Sequence, residues 1–257
     1  MSFAADGKPK FDFDIFMKQL RHRKADPIVR YIRSFIHNFS QRHFTTLEQM
    51  KTVQDFKDFI FDKLLEYEPF SLMNDDDLGN AKLGIEKLVM TKIYELCYSP
   101  AINPNNLDDS HKLDLEIDAE IYSNYIEYSN ITADDLEADD ELVSMGDEFI
   151  KMSINELNKM KLFKSPRAKI ICILNSCKIL FQLIKSGKQN QNADEFLPLL
   201  IYTIFRGQIE ELISNLLYIE RFQFVKNSEV EYYLVSLNAA AEYVRNLNRE
   251  RKNLIDV

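Results

Sequence analysis

The stretch "NADEFLPLLIYTIFRG", residues 192–207, places an acidic pair at the head of a strongly apolar run. Asp194 is the residue there with chemical potential. A lone carboxylate with no partnered base or nucleophile does not carry out covalent or acid–base catalysis. It can bring a negative charge to a chosen point on another molecule. Asp194, Pro198, Ile201 and Phe205 recur at spacings of four, three and four, so a helix aligns them in one stripe. Facing outward, that stripe is an apolar patch with a carboxylate at its edge, a composition suited to a protein interface. A plainer reading stands beside it. Aspartate ahead of a helix is a common N-cap, and Pro198 loosens the first turn because it cannot donate to the Asp194 carbonyl.

The run "SEVEYYLVSLNAAAEYVRNL" raises the same question. With successive residues 100° apart, Leu234, Leu237, Ala241 and Val244 gather on one side as a core face. Opposite them lie Tyr232, Val235, Ser236, Ala239 and Tyr243, with no charge among them. Either both sides are buried or the second is a binding surface. Tyr232 and Tyr243 read equally as core aromatics with a wet hydroxyl.

The elements that must position these residues follow a helical period throughout. Asp26 and Pro27 form a start signal, after which Ile28, Ile32, Phe35, Ile36 and Phe39 share a face. Thr45 with Glu48 spells a capping box ahead of Val53, Phe56, Phe59, Ile60 and Leu64. "NDDDLGNAKLGIEKLVMTKIYELCY" has an acidic first turn, as the helix dipole favours. Further helices are expected near 110–126 and 140–160, from Ser165 and Pro166 onward, and over 194–206, 208–224 and 232–248. Alternating strand pattern is hard to find, so the expected fold is all-α. The loop holding Pro100 and Pro104 places a boundary between a helical bundle at 1–104 and a second domain at 105–257.

Composition narrows the function. The chain has 257 residues and only six scattered glycines, which form no phosphate-cradling GxxxxGK[ST] or GxGxxG loop. No cofactor is expected. The net charge of −9 argues against nucleic acid as the main partner. Fifteen Asp and Glu against one Lys lie between Asn105 and Ile150, which reads as an acidic solvated surface. Three cysteines without framework spacing read as buried thiols in a reducing compartment. The histidines lack metal-ligand spacing, so no metal site is expected. "MSFAADGKPK" has no apolar h-region, and no apolar run approaches a membrane span, so a cytoplasmic protein is expected.

"NADEFLPLLIYTIFRGQIEELISNLLYIERF" followed by "SEVEYYLVSLNAAAEYVRNL" resembles the core of the Vps-nine family of guanine-nucleotide exchange factors. The resemblance continues through "LNKMKLFKSPRAKIICILNSCKIL" and "NAKLGIEKLVMTKIYELCYSP" to "FMKQLRHRKADPIVRYIRSFIHNF", covering nearly the whole chain. It is strongest toward the fungal vacuolar protein sorting type. It implies a helical bundle packed on a layered helical exchange domain. It also implies release of GDP from an early-endosomal Rab GTPase of the Rab-five class, bound nucleotide-free or with GDP, without covalent chemistry. Asp194 then matches the family's aspartate finger, which displaces Mg²⁺ and the phosphates. Pro198 and Tyr232 match residues of the two recognition helices. With Ile201, Val235, Ser236 and Ala239 on the same stripes, these make the expected partner face. Val235 departs from the family's usual Thr or Ser, and Ser228 stands where a glycine is usual, while Glu229 is retained. The resemblance further implies peripheral recruitment to endosomes in vacuolar protein transport, with any ubiquitin contact made through a region beyond this chain. The competing expectation is a non-catalytic helical scaffold or effector that binds the active GTPase.

Overall fold

The computed structural model describes residues 11–187 and 193–255, excepting the side chains of 193 and 248–255; the stretch 1–10 read for a leader lies outside. The described residues form eleven α-helices and no strand, as the periodicity requires. They are α1 (Phe13–Leu20), α2 (Asp26–Ser40), α3 (Thr46–Glu66), α4 (Asp75–Cys97), α5 (Asp109–Glu127), α6 (Asp140–Met145), α7 (Asp147–Asn158), α8 (Pro166–Ser186), α9 (Phe196–Gly207), α10 (Leu212–Phe222) and α11 (Ser228–Ile255). No helix among them is long and apolar enough to cross a membrane. The chain divides into two compact units. The first holds residues up to Asp108 together with Lys164–Arg167 and Glu220–Val225, and the second holds the remainder.

In the first unit α2 packs against α3 and α4, and α1 packs against α4. The Thr45–Glu48 capping box forms as the sequence dictates, and Asn74 caps the acidic first turn of α4. Asp26, in contrast, is the first helical residue of α2. The cap position falls to Ala25, which has no side chain able to accept a backbone N–H. Ile28, Ile32 and Phe39 are buried as expected, and Phe35 stacks on Phe56 with ring centroids 3.9 Å apart. Phe59 is displaced from the core stripe to 41% exposure and meets Tyr31 edge-on. Gly84 lets α1 approach α4 closely, since a Cβ there would collide with the Phe16 ring.

A buried carboxylate organises the remaining segments of this unit. Glu86 on α4 is 1% exposed. One of its oxygens accepts the Arg167 backbone N–H at 2.9 Å, and the other accepts the Phe224 N–H at 2.7 Å. Burial pushes its carboxyl from the ordinary 4.5 up to about 6, against the lowering pull of those hydrogen bonds.

In the second unit α11 packs against α9 and α5, and α7 packs against α9. The expected helix over 140–160 is two helices broken at Gly146, where a Cβ would collide with Leu183. The expected helix at 208 begins only at Leu212, because Gln208 and Glu211 take left-handed conformations with φ of 46° and 53°. Asp118 on α5 serves the start of α10 from a distance. Its carboxylate accepts the N–H of Ile213 at 2.8 Å and that of Ser214 at 3.2 Å. The expected all-solvated acidic stretch therefore includes a structural acceptor. Burial lifts the Asp118 carboxyl from 3.8 to about 6, opposed by these hydrogen bonds. Lys169 on α8 is fully buried and donates to the Met160 carbonyl at 2.9 Å and to Asn215 Oδ1 at 2.6 Å. Its ammonium is pulled down from 10.5 to about 8 by burial. All three cysteines are buried, and burial pushes their thiols upward.

Glu86 makes the stability depend on pH with a definite sign. Because its folded value lies above 4.5, the native protein holds a proton that the unfolded chain has lost between pH 4.5 and about 6. Stability from this group therefore falls as pH rises through that window, by up to about 2 kcal/mol. Urea unfolding across this range should show a flatter pH profile for Glu86→Gln than for the parent. Parallel profiles would mean that the carboxyl titrates normally.

Candidate functional site

Building the site starts from α9. Its sequence is apolar on nearly every side, and Phe196, Leu199, Leu200, Ile201, Ile204 and Phe205 are all at most 6% exposed. Its exposed residues lie near its two ends, at Leu197 and at Arg206. Asp194 is exposed in a single turn of 3-10 helix spanning Ala193–Glu195, immediately before α9. The N-cap position belongs to Glu195, whose side chain makes no capping hydrogen bond. Leu197 is 38% exposed and Pro198 half-buried, which continues the surface strip for one turn.

Beyond that turn the expected stripe sinks. Ile201 is 5% exposed and Phe205 6%, and Phe205 packs edge-on against Tyr125 of α5 at 5.5 Å. Ile201 is thus a core residue of the second unit, and the outward stripe predicted through Ile201 and Phe205 is corrected to Asp194, Leu197 and Pro198. The cause is the packing around α9. Seven of its twelve residues are buried, and spacing alone cannot show which of its faces neighbouring helices cover. Leu197 was missed for the same reason, although its position three residues after Asp194 places it on that face.

The two faces of α11 separate as the 100° geometry predicts. Leu234, Leu237, Ala241 and Val244 are buried, with Leu237, Ala241 and Val244 at 0% exposure. On the other side Tyr232 is 51% exposed and Val235 68%, Ala239 is exposed, and Ser236 and Tyr243 are half-buried. Tyr232 is therefore no core aromatic. The Ser236 hydroxyl donates to the Tyr232 carbonyl at 3.0 Å, within its own helix. The helix begins four residues earlier than expected, at Ser228, and Asn227 Oδ1 accepts the Glu229 N–H at 2.8 Å. The residue replacing the family glycine is thus the first of a helix.

An aromatic group joins the two surface strips. Phe196 stacks on Phe181 of α8, with centroids 4.3 Å apart and planes 16° apart. It lies 6.4 Å from Tyr232 with planes 22° apart, and Tyr232 meets Tyr233 at 5.2 Å. Tyr233 in turn closes on Phe181 at 6.0 Å. The start of α9 and the start of α11 therefore share one ring cluster. Lys178 of α8 pairs with Glu229 at 3.2 Å nearby in sequence on α11. Among the described residues no group of three His, Cys, Asp or Glu could hold a metal. The arrangement can present an apolar surface and an exposed carboxylate to a macromolecular partner.

Residues 150–249 match the Vacuolar sorting protein 9 (VPS9) domain, and residues 30–94 match a Domain of unknown function (DUF5601). The chain therefore carries a VPS9 domain match over residues 150–249. It is 34% identical over 245 residues to Vacuolar protein sorting-associated protein vps901 of Schizosaccharomyces pombe, covering 94% of this chain and 42% of that protein. It is 28% identical to Vacuolar protein sorting-associated protein 9A of Arabidopsis thaliana, covering 93% and 45%. It is 25% identical to the Rab5 GDP/GTP exchange factor of Homo sapiens, covering 95% and 48%. The chain thus spans less than half the length of these relatives. The VPS9 segment contains Asp194, Pro198, Tyr232 and Val235.

The burial difference across α11 sets a stability contrast. Leu237→Ala removes a fully buried side chain and should cost about 2–5 kcal/mol. Tyr232→Ala should cost no more than about 1.5 kcal/mol, the scale of its ring contacts. Chemical denaturation of both variants checks the contrast. Equal losses would place Tyr232 in the core.

Proposed function

We propose that this chain is a guanine-nucleotide exchange factor that releases GDP from an early-endosomal Rab GTPase of the Rab-five class, in endosomal and vacuolar transport. The observation that carries the reading is the exposed Asp194 on the turn leading into α9, beside the exposed apolar surface of Leu197, Tyr232 and Val235. The name of a relative, Rab5 GDP/GTP exchange factor, supports the substrate class.

The mechanism is electrostatic. A GTPase of this kind holds its nucleotide through Mg²⁺ and a P-loop lysine against the phosphates. The apolar strip of α9 and α11 provides adhesion. Asp194 enters the phosphate site, competes for the lysine, weakens the metal's hold and repels the β-phosphate. A unit charge pair at about 4 Å with an effective dielectric near 20 is worth about 4 kcal/mol. That corresponds to roughly a thousandfold in affinity. Linkage makes nucleotide and exchange factor weaken each other by the same factor. No covalent step is involved.

Asp194→Ala should remove the acceleration of fluorescent-GDP release from a Rab-five-class GTPase while leaving the melting temperature within a few degrees of the parent. If the carboxylate served only as a helix cap, stability would fall by about 1 kcal/mol and release would stay near the parent rate. Preference for the GTP-bound over the nucleotide-free GTPase would instead support a scaffold or effector.

Val235 supplies a finer test. At 68% exposure it is free to contact a partner. Val235→Thr should leave stability nearly unchanged and raise release by roughly two- to twelvefold if the added hydroxyl finds an acceptor on the GTPase, at about 0.5–1.5 kcal/mol. Slower release would show that the position faces an apolar patch. Rates indifferent to both Val235→Thr and Val235→Ala would remove the residue from the contact.

A further inference from the structure

A buried ring stands immediately after the turn that carries Asp194. Phe196 lies two residues after Asp194, is 2% exposed, and is the first residue of α9. Its neighbours come from two other helices: Phe181 of α8 at 4.3 Å, and Tyr232 and Tyr233 of α11 at 6.4 and 6.3 Å. The N-cap position of α9 contributes no side-chain hydrogen bond, and Pro198 in the first turn has no N–H for one to reach. Ring packing is therefore one constraint on where this helix begins.

We propose that Phe196 is a positioning residue for the exchange reaction. By locking the start of α9 to α8 and α11, it fixes the direction of the Asp194 turn relative to the Tyr232 surface. This rests on the exchange reading above and extends it. A carboxylate acting at short range is sensitive to placement, since a displacement near 1 Å at a reacting centre costs on the order of a hundredfold. Adhesion through Tyr232, Val235 and Leu197 spreads over a surface and tolerates such a shift.

The test is a series of nucleotide-release measurements with the full chain and a Rab-five-class GTPase loaded with fluorescent GDP. Phe196→Leu keeps an apolar side chain and loses the ring. It should lower the release rate at saturating exchange factor by roughly ten- to a hundredfold, while the concentration for half-maximal rate moves by less than about threefold. Phe181→Leu, on the other side of the stacked pair, should reproduce the defect, and Phe196→Tyr should restore release to within about twofold of the parent. Release at the parent rate in Phe196→Leu, or a fall in apparent affinity equal to the fall in rate, would overturn the positioning role and leave the exchange reading intact. A parent chain that accelerates no release would overturn both.

Discussion

A helix as apolar as α9 cannot be left in water, and much of the second unit follows from that constraint. Enclosing it takes α7 and α11 alongside, Phe181 of α8 over its first residue and Tyr125 of α5 against Phe205. Such burial is favourable at roughly 25 cal/mol per Å² of apolar surface, and no helix cap or surface ion pair in the unit competes with it in scale. Near its N-terminus the surface therefore receives Leu197, part of Pro198 and the turn just before the helix. Those residues include Asp194, and the helix that covers α9 brings Tyr232 and Val235.

The legible part of this arrangement is the part that depends on local geometry. Helical period alone separates Leu234, Leu237, Ala241 and Val244 from Tyr232, Val235 and Ala239, and the exposures follow that division. The capping box at Thr45 and the acidic start of α4 are equally local, because both partners lie within one turn. Ile201 and Phe205 were not legible. Angle around a helix states which residues share a side, but depth depends on neighbours supplied from elsewhere in the chain.

The same limit hides the buried acceptors. Asp118 serves the start of α10 across 95 residues, and Glu86 reaches Phe224 across 138. In sequence both are ordinary acids on amphipathic helices. Their roles come from left-handed Glu211 and from backbone N–H groups that burial leaves needing acceptors. Lys169 is a similar case: a lysine inside an apolar helical pattern reads as a solvated interruption, yet it is fully buried and hydrogen-bonded to Asn215. Burying such groups costs free energy unless they are satisfied, so each marks a place where the chain path is specified more sharply than apolar packing alone would specify it.

Adhesion and discrimination have different structural requirements, and the proposed exchange reaction divides them between the two strips. Apolar contact through Tyr232, Val235 and Leu197 is indifferent to whether a partner carries nucleotide, and a ligand that binds two states equally shifts nothing. Only a group whose interaction changes with the nucleotide can drive release, and among these residues only Asp194 bears a charge. A charge on a freely moving segment would spend most of its time away from the phosphates. Placing it beside the first turn of α9, whose Phe196 is packed with rings from two other helices, joins an exposed carboxylate to a largely buried helix. On the proposed positioning role of Phe196, the constraint that buries α9 is also the one that gives the carboxylate a direction.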